Sequence, residues 1–181
     1  MKQATPTIPS PRFVLRKLER EDAAALFPTF ADPDSMRWWS RGPFDTEAEL
    51  AEWLVPEAGW DEGRSWAIVE HGGGPALGRV AVMDRGDDIA ELAYIVVHTR
   101  RRENIAGKVL RALIDHLVHT ERKRRLFADV DPDNTGSNQL LSALGFTLEG
   151  RLREHWTTHI GRRDSLIWGL LADEWKNESA Q

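Results

Sequence analysis

The chain of 181 residues, 41% of them hydrophobic, is large enough for one well-buried core and short for two, so we expect a single domain over residues 1–181. Its formal net charge of -5 argues against nucleic acid or a membrane surface as a partner, because both attract a net basic face. The absence of cysteine excludes disulfides, thiolate metal sites and an acyl-cysteine intermediate.

The N-terminus, MKQATPTIPSP, is polar, contains prolines and lacks the apolar segment that a secretion signal carries. Nowhere in the sequence do about 18 apolar residues follow one another, which is the length that a membrane-spanning helix needs. We therefore predict an extended or disordered tail over residues 1–10 and a cytoplasmic location.

Hydrophobic periodicity in the first third of the chain predicts one strand followed by two helices. Residues 13–18 alternate as in a strand, and residues 19–31 repeat apolar side chains at helical spacing until Pro33 stops the pattern. Thr46 and Glu49 form a capping-box pair, which predicts the start of the second helix.

The elements that follow are mostly strands. Residues 65–70 and 76–83 predict an antiparallel hairpin; no helical pattern follows the three glycines of its loop, so a turn is favoured over a nucleotide loop. Later strands are predicted at 89–97, 126–130, 151–159 and 163–171, and helices from Ile105 and over 135–144. Together they predict a mixed α/β domain with a largely antiparallel sheet and helices on both faces.

The stretch over residues 95–113 carries the strongest functional signal. An apolar strand pattern passes through three arginines, at 100–102, into a helical pattern in which Ile105, Val109 and Leu113 share a face. The first N–H groups of a helix lack internal acceptors, and the helix dipole makes that end positive. Guanidinium groups beside it suit phosphate oxygens, so the sequence predicts a phosphate-binding turn.

Residues 101–106 resemble the pyrophosphate loop, Arg/Gln-x-x-Gly-x-Gly/Ala, of the GNAT N-acetyltransferase superfamily. Asn134 with Ser137, the Leu-Gly-Phe sequence at 144–146 and the Glu-Gly-Arg-Leu-Arg sequence at 149–153 resemble motifs of its RimJ/RimL-like branch, with matching spacing. Residues 16–18 and 38–40 fit that branch more loosely. One departure is Asn104, which stands where the loop's central glycine is expected. Asparagine tolerates a left-handed backbone, but its side chain takes up room beside a pyrophosphate.

The resemblance implies the GNAT fold, a central, largely antiparallel twisted sheet of about seven strands flanked by about four helices. It also implies an N-acetyltransferase that moves the acetyl group of acetyl-CoA to a primary amine by direct attack in a ternary complex. The acceptor would be a protein or peptide N-terminus or a small amine. Two alternatives stay open. A CoA-binding or sensory module without turnover is favoured by Asn104 in the glycine position and by the absence of the family's helix tyrosine. An antibiotic-modifying acetyltransferase would need an acidic acceptor cleft.

The same resemblance assigns the cofactor-binding residues. The strand before the loop would bond the pantetheine arm through its backbone, the loop amides would hold the pyrophosphate, and two residues of the next helix would reach the pantetheine and its sulfur. On local evidence alone, Asn134 is better explained as the N-cap of that helix, and Ser137 as an exposed residue. The assigned set is Ile95, Val96, Val97, Arg101, Arg102, Asn104, Ile105, Ala106, Gly107, Asn134 and Ser137.

Catalysis needs a base for the amine and a proton for the leaving thiolate. Glu91 and Asp129 are the candidate bases, because burial in an apolar strand would raise the pKa of a carboxylate; the alternative is a salt-bridged surface group. Many members of the family place a tyrosine in the helix that follows, but Leu141 stands near that position and the only tyrosine is Tyr94. The resemblance to the RimL-like pattern implies Ser137 as the proton donor instead.

In RimJ/RimL-like proteins the region between the first two helices lines the acceptor side, so the resemblance implies Trp38 and Trp39 as acceptor-binding residues. Adjacent tryptophans cannot both point into one core from a regular element, so one of them can line a cleft; the alternative is that both pack under a loop. The six histidines form no set of three convincing metal ligands, so no metal is predicted. The expected partners are acetyl-CoA and an amine acceptor, with a homodimer as a possible assembly.

Overall fold

An eight-stranded sheet forms the centre of the computed structural model, which describes residues 4–57 and 63–176. The strands are β1 (Ile8–Pro9), β2 (Phe13–Lys17), β3 (Gly63–Glu70), β4 (Gly78–Asp84), β5 (Ile89–Val96), β6 (Arg125–Val130), β7 (Thr147–Thr158) and β8 (Gly161–Leu171). Their order across the sheet is β1-β2-β3-β4-β5-β6-β8-β7. In this described part, β5 and β6 are the one parallel pair.

Five α-helices accompany the sheet in the described residues: α1 (Ala23–Phe30), α2 (Pro33–Met36), α3 (Glu47–Leu54), α4 (Ile105–Asp115) and α5 (Thr135–Ala143). A π-helical turn, His116–Thr120, extends α4. The predicted apolar face of α4 is confirmed, since Ile105, Val109 and Leu113 are buried and the helix contacts β2 and β5. No helix in these residues combines the length and apolar character needed to cross a bilayer.

The predicted fold class is confirmed, and both element counts are corrected upward. The additional strand lies in the predicted tail, where Ile8 and Pro9 pair with β2; residues 1–3 of that tail lie outside the described residues. The additional helix is α2. Pro33 begins this helix rather than stopping the one before it, because proline lacks only an N–H that the first helical turn leaves unpaired, and Asp32 caps it.

The parallel strands β5 and β6 pair over a short distance and then separate. Their ladder joins residues 89–91 to residues 125–127, and no pairing between them is recorded beyond that point, although both strands continue. The second half of β5 therefore keeps β4 on one side and has an open edge on the other. This gap positions the functional residues described below.

An irregularity in β7 shapes the other side of the gap. Between Leu152 and Trp156 the register against β8 shifts, so that three residues of β7 stand opposite Asp164 alone. Within this bulge Glu154 has a positive φ of 48° and donates its N–H to Asp164 Oδ1 at 2.8 Å. A bulge bends a strand and redirects its side chains. Here it brings the indole of Trp156 to Asp129 on β6.

Candidate active site

The gap between β5 and β6 contains a pocket of about 270 Å³. Consecutive residues line it, 91–94 on β5 and 128–131 at the end of β6, so the pocket lies along strand edges rather than over one face of the sheet. The segment after α2, the start of α5 and the β7–β8 hairpin complete its walls. It brings together six residues selected from the sequence: Trp38, Trp39, Glu91, Asp129, Asn134 and Ser137.

Hydrogen bonds at both ends of the β4–β5 ladder show which way the backbone of β5 points. The Arg85 N–H donates to the Ile89 carbonyl at 2.9 Å, and the Val97 N–H donates to the Leu77 carbonyl at 2.9 Å. Antiparallel pairs alternate between bonded and non-bonded, and the register runs unbroken between these two ends. The backbone groups of odd-numbered residues on β5 therefore face β4.

It follows that even-numbered residues of β5 direct their backbone groups away from β4, and that the N–H and C=O groups of Tyr94 and Val96, beyond the last residue paired with β6, face the open edge. These groups can bond an extended ligand as an added strand would. The sequence-based choice is corrected in part: Val96 faces the open edge, whereas Ile95 and Val97 face β4. Sequence periodicity gives side-chain faces but not backbone directions, so the ladder was needed to separate them.

The hydroxyl groups of Tyr94 and Ser137 meet across this gap. Tyr94 Oη lies 2.7 Å from Ser137 Oγ, and both residues line the pocket. Burial raises the pKa of Tyr94 to about 12, although the hydrogen bond with Ser137 acts in the opposite direction. The phenol is therefore neutral at physiological pH and can donate a hydrogen bond.

Asn134 serves as the N-cap of α5, the alternative that local sequence favoured. Its Oδ1 accepts the backbone N–H of Ser137 at 3.3 Å. Asn138 fixes the same turn, because its Nδ2 donates to the backbone carbonyls of Asp131 and Asn134 at 3.1 and 3.0 Å. Its Oδ1 accepts from the indole N–H of Trp168 at 2.8 Å. These bonds hold Ser137 where the Tyr94 hydroxyl can reach it.

Carboxylates dominate the charge of the pocket. Four of them line it, against one guanidinium, that of Arg163. Arginine pairs with three of the four, whereas no lysine or arginine contacts Asp129 in the described part of the chain. The pairs are Glu91 with Arg85 at 2.6 Å, Asp131 with Arg163 at 2.7 Å and Asp164 with Arg151 at 2.7 Å.

Neutral donors and a histidine hold Asp129 instead. Its Oδ2 accepts the indole N–H of Trp156 at 2.9 Å and lies 3.3 Å from His155 Nδ1, which is also 3.0 Å from the buried Ser165 hydroxyl. The Asp129 side chain is 13% exposed. No hydrogen bond to its Oδ1 is recorded among the described residues, so this oxygen can accept a proton or a hydrogen bond from an amine.

The two predicted tryptophans both line the pocket, but their surroundings differ. The ring of Trp39 packs against the rings of Phe30 and Trp53, each at a centroid distance of 6.1 Å, so it belongs partly to the core. The ring of Trp38 lies near the guanidinium groups of Arg37 and Arg163, at 4.9 and 5.5 Å. Trp38 is therefore the tryptophan whose ring lies outside this aromatic cluster.

The N-terminus of α4 is open to an anion. Asn104 precedes the helix in a left-handed conformation, with φ 54° and ψ 34°, and no side chain of the described residues caps the helix. Within residues 4–57 and 63–176, the N–H groups of Ile105, Ala106 and Gly107 have no recorded acceptor, and the first bond is from the Lys108 N–H to the Asn104 carbonyl at 3.2 Å. Three unpaired N–H groups at the positive end of an 11-residue helix suit a phosphate.

The three arginines of the turn have different partners. Arg100 binds Glu70 at 3.0 Å and also Glu103, and these hydrogen bonds, first that of Glu103, raise its pKa above its usual value. Arg102 is exposed, has a positive φ of 72° and no recorded partner among the described residues. Of these two guanidinium groups, that of Arg102 is therefore the one available to a phosphate.

Two hydrogen bonds attach the turn to the first helices. The Arg101 guanidinium donates to Ser35 Oγ at 2.8 Å, and the His98 N–H donates to the buried Thr29 hydroxyl at 3.0 Å. Arg101 keeps further donors, because a guanidinium has five N–H groups. The turn is thus fixed to α1 and α2 before any ligand binds.

The side chain of Asn104 lies over the first turn of α4. A Cβ atom built on the buried Gly107 would collide with Asn104 Oδ1. Gly107 therefore gives the asparagine room to fold back onto the helix. This arrangement shows how the loop accommodates a side chain at the position where glycine was expected.

Other motif residues support the structure around the pocket. Glu149 binds Arg125 on β6 at 2.5 Å. Gly145, with φ 89°, follows the end of α5, and the Phe146 N–H then bonds to the Leu141 carbonyl at 3.0 Å. Leu141 is fully buried, so a core leucine lies near the helix position at which the family often has tyrosine.

Within residues 4–57 and 63–176, no three potential metal ligands converge.

The comparisons with known proteins agree with this geometry. A family model described as the acetyltransferase (GNAT) domain matches residues 12–147. The chain belongs to this GNAT acetyltransferase family. It is accordingly an acyltransferase, and members of the family use acetyl-CoA as co-substrate.

Similar proteins include other acetyltransferases. The uncharacterized N-acetyltransferase p20 of Bacillus licheniformis is 25% identical over 174 residues, 93% of this GNAT chain and 98% of that protein. The spermidine N(1)-acetyltransferase of Escherichia coli K12 is 26% identical over 139 residues, 76% of this chain and 74% of that protein. A GNAT acetyltransferase structure from Bacillus anthracis shares the fold, with a TM-score of 0.84 at 18% identity over 93% of this chain and 99% of the other.

The structure of a spermidine N-acetyltransferase from Vibrio cholerae, in complex with CoA and spermine, also has the fold of this GNAT chain. Its TM-score is 0.78 at 19% identity, over 90% of this chain and 96% of the other.

Sequence reasoning missed the pocket contacts of Tyr94 and Trp156. In the sequence, Tyr94 is only a tyrosine outside the expected helix. Its position two residues before Val96, on the same face of the strand, is the one available signal. Trp156 gave no signal, because the bulge that turns it towards Asp129 has no mark in the sequence.

Proposed function

We propose that this GNAT acetyltransferase transfers the acetyl group of acetyl-CoA to the primary amine of a small cationic acceptor, by direct attack in a ternary complex. The observation that carries the proposal is Asp129, whose unpartnered Oδ1 belongs to a pocket that also contains the hydroxyl groups of Tyr94 and Ser137. A base and a hydroxyl donor thus line one pocket beside an open strand edge.

The cofactor side of the proposal begins at α4. The unpaired N–H groups of Ile105, Ala106 and Gly107, with the guanidinium groups of Arg101 and Arg102, would hold the diphosphate of acetyl-CoA. The pantetheine arm would then extend along the backbone of β5 where β6 has separated from it. This course leads from the phosphate-binding turn into the pocket.

The acceptor side is acidic and aromatic. Three of the four carboxylates are paired with arginines, and the fourth, Asp129, leaves a negative charge that favours a positively charged amine. The indoles of Trp38 and Trp156 provide flat walls that attract cations. A pocket of about 270 Å³ suits a small molecule better than a folded protein segment. The likeness to a spermidine N(1)-acetyltransferase supports this acceptor class over a protein N-terminus.

The proposed chemistry assigns one proton to each group. Asp129 takes a proton from the ammonium of the acceptor, and the free amine attacks the thioester carbonyl carbon. Backbone N–H groups on the open edge of β5 polarise that carbonyl. As the carbon–sulfur bond breaks, Ser137 donates its proton to the departing thiolate, and water carries the second proton of the attacking nitrogen to the serine oxygen, which leaves a neutral amide and a free thiol. Glu91, already paired with Arg85, contributes negative charge rather than a base.

We also propose membership of the RimJ/RimL-like branch. Its Asn-x-x-Ser motif corresponds here to a capped helix that supports Ser137, and its Glu-Gly-x-Leu-Arg motif to the Glu149 pair with Arg125. In this proposal the branch motifs hold Ser137 and β6 in position, and the acceptor class is determined by the pocket residues.

A thiol-release assay with an amine panel tests the function. Acetyl-CoA is combined with spermidine, putrescine, a neutral-tailed monoamine, an aminoglycoside and a short peptide with a free N-terminus. We expect the fastest release with the small polyamines. Fastest release with the peptide would replace the acceptor class with a protein N-terminus, and fastest release with the aminoglycoside would indicate the antibiotic-modifying alternative.

The Asp129→Asn variant tests the base. We expect kcat to fall about a hundredfold with the preferred amine, in line with loss of a general base, while acetyl-CoA binding measured by calorimetry stays unchanged. Asp173→Asn, which changes an exposed carboxylate outside the pocket lining, is the matched control.

Acetyl-CoA binding by the wild-type protein, without thiol release on any amine of the panel, would favour the non-catalytic module.

A further inference from the structure

We infer that Tyr94 is a positioning residue, whose phenol donates the hydrogen bond to Ser137 and thereby directs the serine proton towards the sulfur of the bound thioester. This inference rests on the proposed function and adds to it a residue from the strand rather than from the helix. It explains how the reaction proceeds with a leucine in place of the helix tyrosine.

The first support is the position of the two hydroxyl groups. Tyr94 lies on the part of β5 that has lost β6 as a neighbour, and Ser137 lies in the first turn of α5, which follows β6. Their 2.7 Å contact therefore spans the gap in which the pantetheine arm is proposed to lie. Both line the pocket, so a sulfur atom there can approach the serine.

The second support is the direction of the hydrogen bond. A serine hydroxyl has one proton and can donate to one acceptor at a time, but it can accept from others. If Ser137 donated to Tyr94, its proton would be unavailable to sulfur. If Tyr94 donates, the serine proton is free to point into the gap. A neutral phenol can donate, and burial raises the pKa of Tyr94 to about 12 despite the opposing effect of the Ser137 hydrogen bond.

The third support is that the backbone of Ser137 is fixed and that the Tyr94 hydroxyl has one recorded partner in the described part of the chain. Asn134 accepts the backbone N–H of Ser137 and so holds the serine in the first turn of α5. Among the described residues, Ser137 is the one recorded hydrogen-bond partner of the Tyr94 hydroxyl, and a partly buried phenol normally has a partner. Tyr94 keeps its own proton throughout the proposed reaction.

A double-mutant cycle tests the inference with thiol release at saturating amine. We expect Tyr94→Phe, which keeps the ring, to lower kcat about tenfold with the KM for acetyl-CoA changed less than twofold. Ser137→Ala should lower kcat at least as much. Because the tyrosine acts through the serine, adding Tyr94→Phe to Ser137→Ala should cause no further loss.

Two results would overturn the inference. One is a Tyr94→Phe variant with the kcat of wild type, and the other is a double variant whose loss equals the product of the two single losses. Neither result would affect the proposed function, which is tested by thiol release from wild-type protein on the amine panel. The inference and the function are therefore tested by different measurements.

A spectroscopic measurement covers the case in which Tyr94→Phe does not fold. Tyr94 is the only tyrosine, so biosynthetic 3-fluorotyrosine labels this side chain alone. We expect its fluorine resonance to shift in the Ser137→Ala variant and again when acetyl-CoA binds to the Ser137 protein. An unchanged resonance in Ser137→Ala would show that the two hydroxyl groups do not interact in solution and would overturn the inference.

Discussion

The N-termini of α4 and α5 differ in whether the protein itself supplies an acceptor for their first backbone N–H groups. At α5, the Asn134 side chain accepts the Ser137 N–H and completes a cap. At α4, no side chain caps the helix, and the N–H groups of residues 105–107 have no recorded acceptor in the described part of the chain. The first end is therefore closed by the chain, and the second is open for a ligand.

The difference shows that two similar asparagines have opposite effects. Asn134 precedes α5 and stabilises the helix through its side chain. Asn104 precedes α4 in a left-handed conformation and leaves the helix uncapped. A family motif places both beside the cofactor, but helix-end chemistry separates an anion site from a structural cap. The predictions below test this separation.

Among the tests at these two helix ends, the largest effect is expected from Gly107→Ala. Its new Cβ would collide with Asn104 Oδ1 and push that side chain off the helix, towards the proposed phosphate site. We expect the KM for acetyl-CoA to rise roughly tenfold, about 1.4 kcal/mol. Steady-state kinetics measure it.

A matched glycine in α5 provides the control. A Cβ on Gly136 would meet nothing within 4 Å, so Gly136→Ala should leave the KM for acetyl-CoA unchanged. Asn104→Gly removes the obstructing side chain and should restore affinity to the Gly107→Ala protein. Equal losses from both alanine variants, or no restoration by Asn104→Gly, would contradict the proposed coupling of Asn104 and Gly107.

An intermediate effect is expected from Arg102→Gln. This exposed guanidinium has no recorded partner among residues 4–57 and 63–176, so its loss should weaken phosphate binding without affecting the fold. We expect the KM for acetyl-CoA to rise about fivefold, roughly 1 kcal/mol, with the melting temperature unchanged. Arg122→Gln removes an equally exposed charge at a residue that also has a positive φ, and it should change neither quantity.

The smallest effect on the cofactor is expected from Asn134→Ala. Loss of the N-cap should lower the free energy of unfolding by about 1 kcal/mol, and the melting temperature by about 2–4 °C. The KM for acetyl-CoA should stay within about twofold of wild type. Asn134→Asp keeps a capping oxygen and should recover the stability. A large rise in the KM without a change in stability would make Asn134 a cofactor contact after all.

The sequence was sufficient for features that depend on local pattern. The alternating apolar residues of β5 and the apolar face of α4 predicted a strand, a basic turn and a helix in the right places. The capping pair Thr46 and Glu49 predicted the start of α3, where the Thr46 side chain accepts the Glu49 N–H at 3.1 Å. These features arise from neighbours in sequence, which is why a pattern can reveal them.

Features that depend on contacts between distant segments were not predictable. Tyr94 and Ser137 are 43 positions apart in sequence, and their meeting requires the separation of β5 from β6. The contact between Trp156 and Asp129 requires a bulge that the pattern of β7 did not reveal. Pro33 was misread because a proline that ends one helix and a proline that begins the next look the same in sequence.

The central claim is that the open N-terminus of α4 holds the diphosphate of acetyl-CoA, and backbone amide NMR of nitrogen-15-labelled protein tests it most directly. Titration with acetyl-CoA should shift the amide protons of Ile105, Ala106 and Gly107 downfield as they gain acceptors. The first turn of α3, where the Thr46 side chain already accepts the Glu49 N–H, should shift less. Saturable binding that leaves these three amides in place, with the main shifts elsewhere, would contradict the claim.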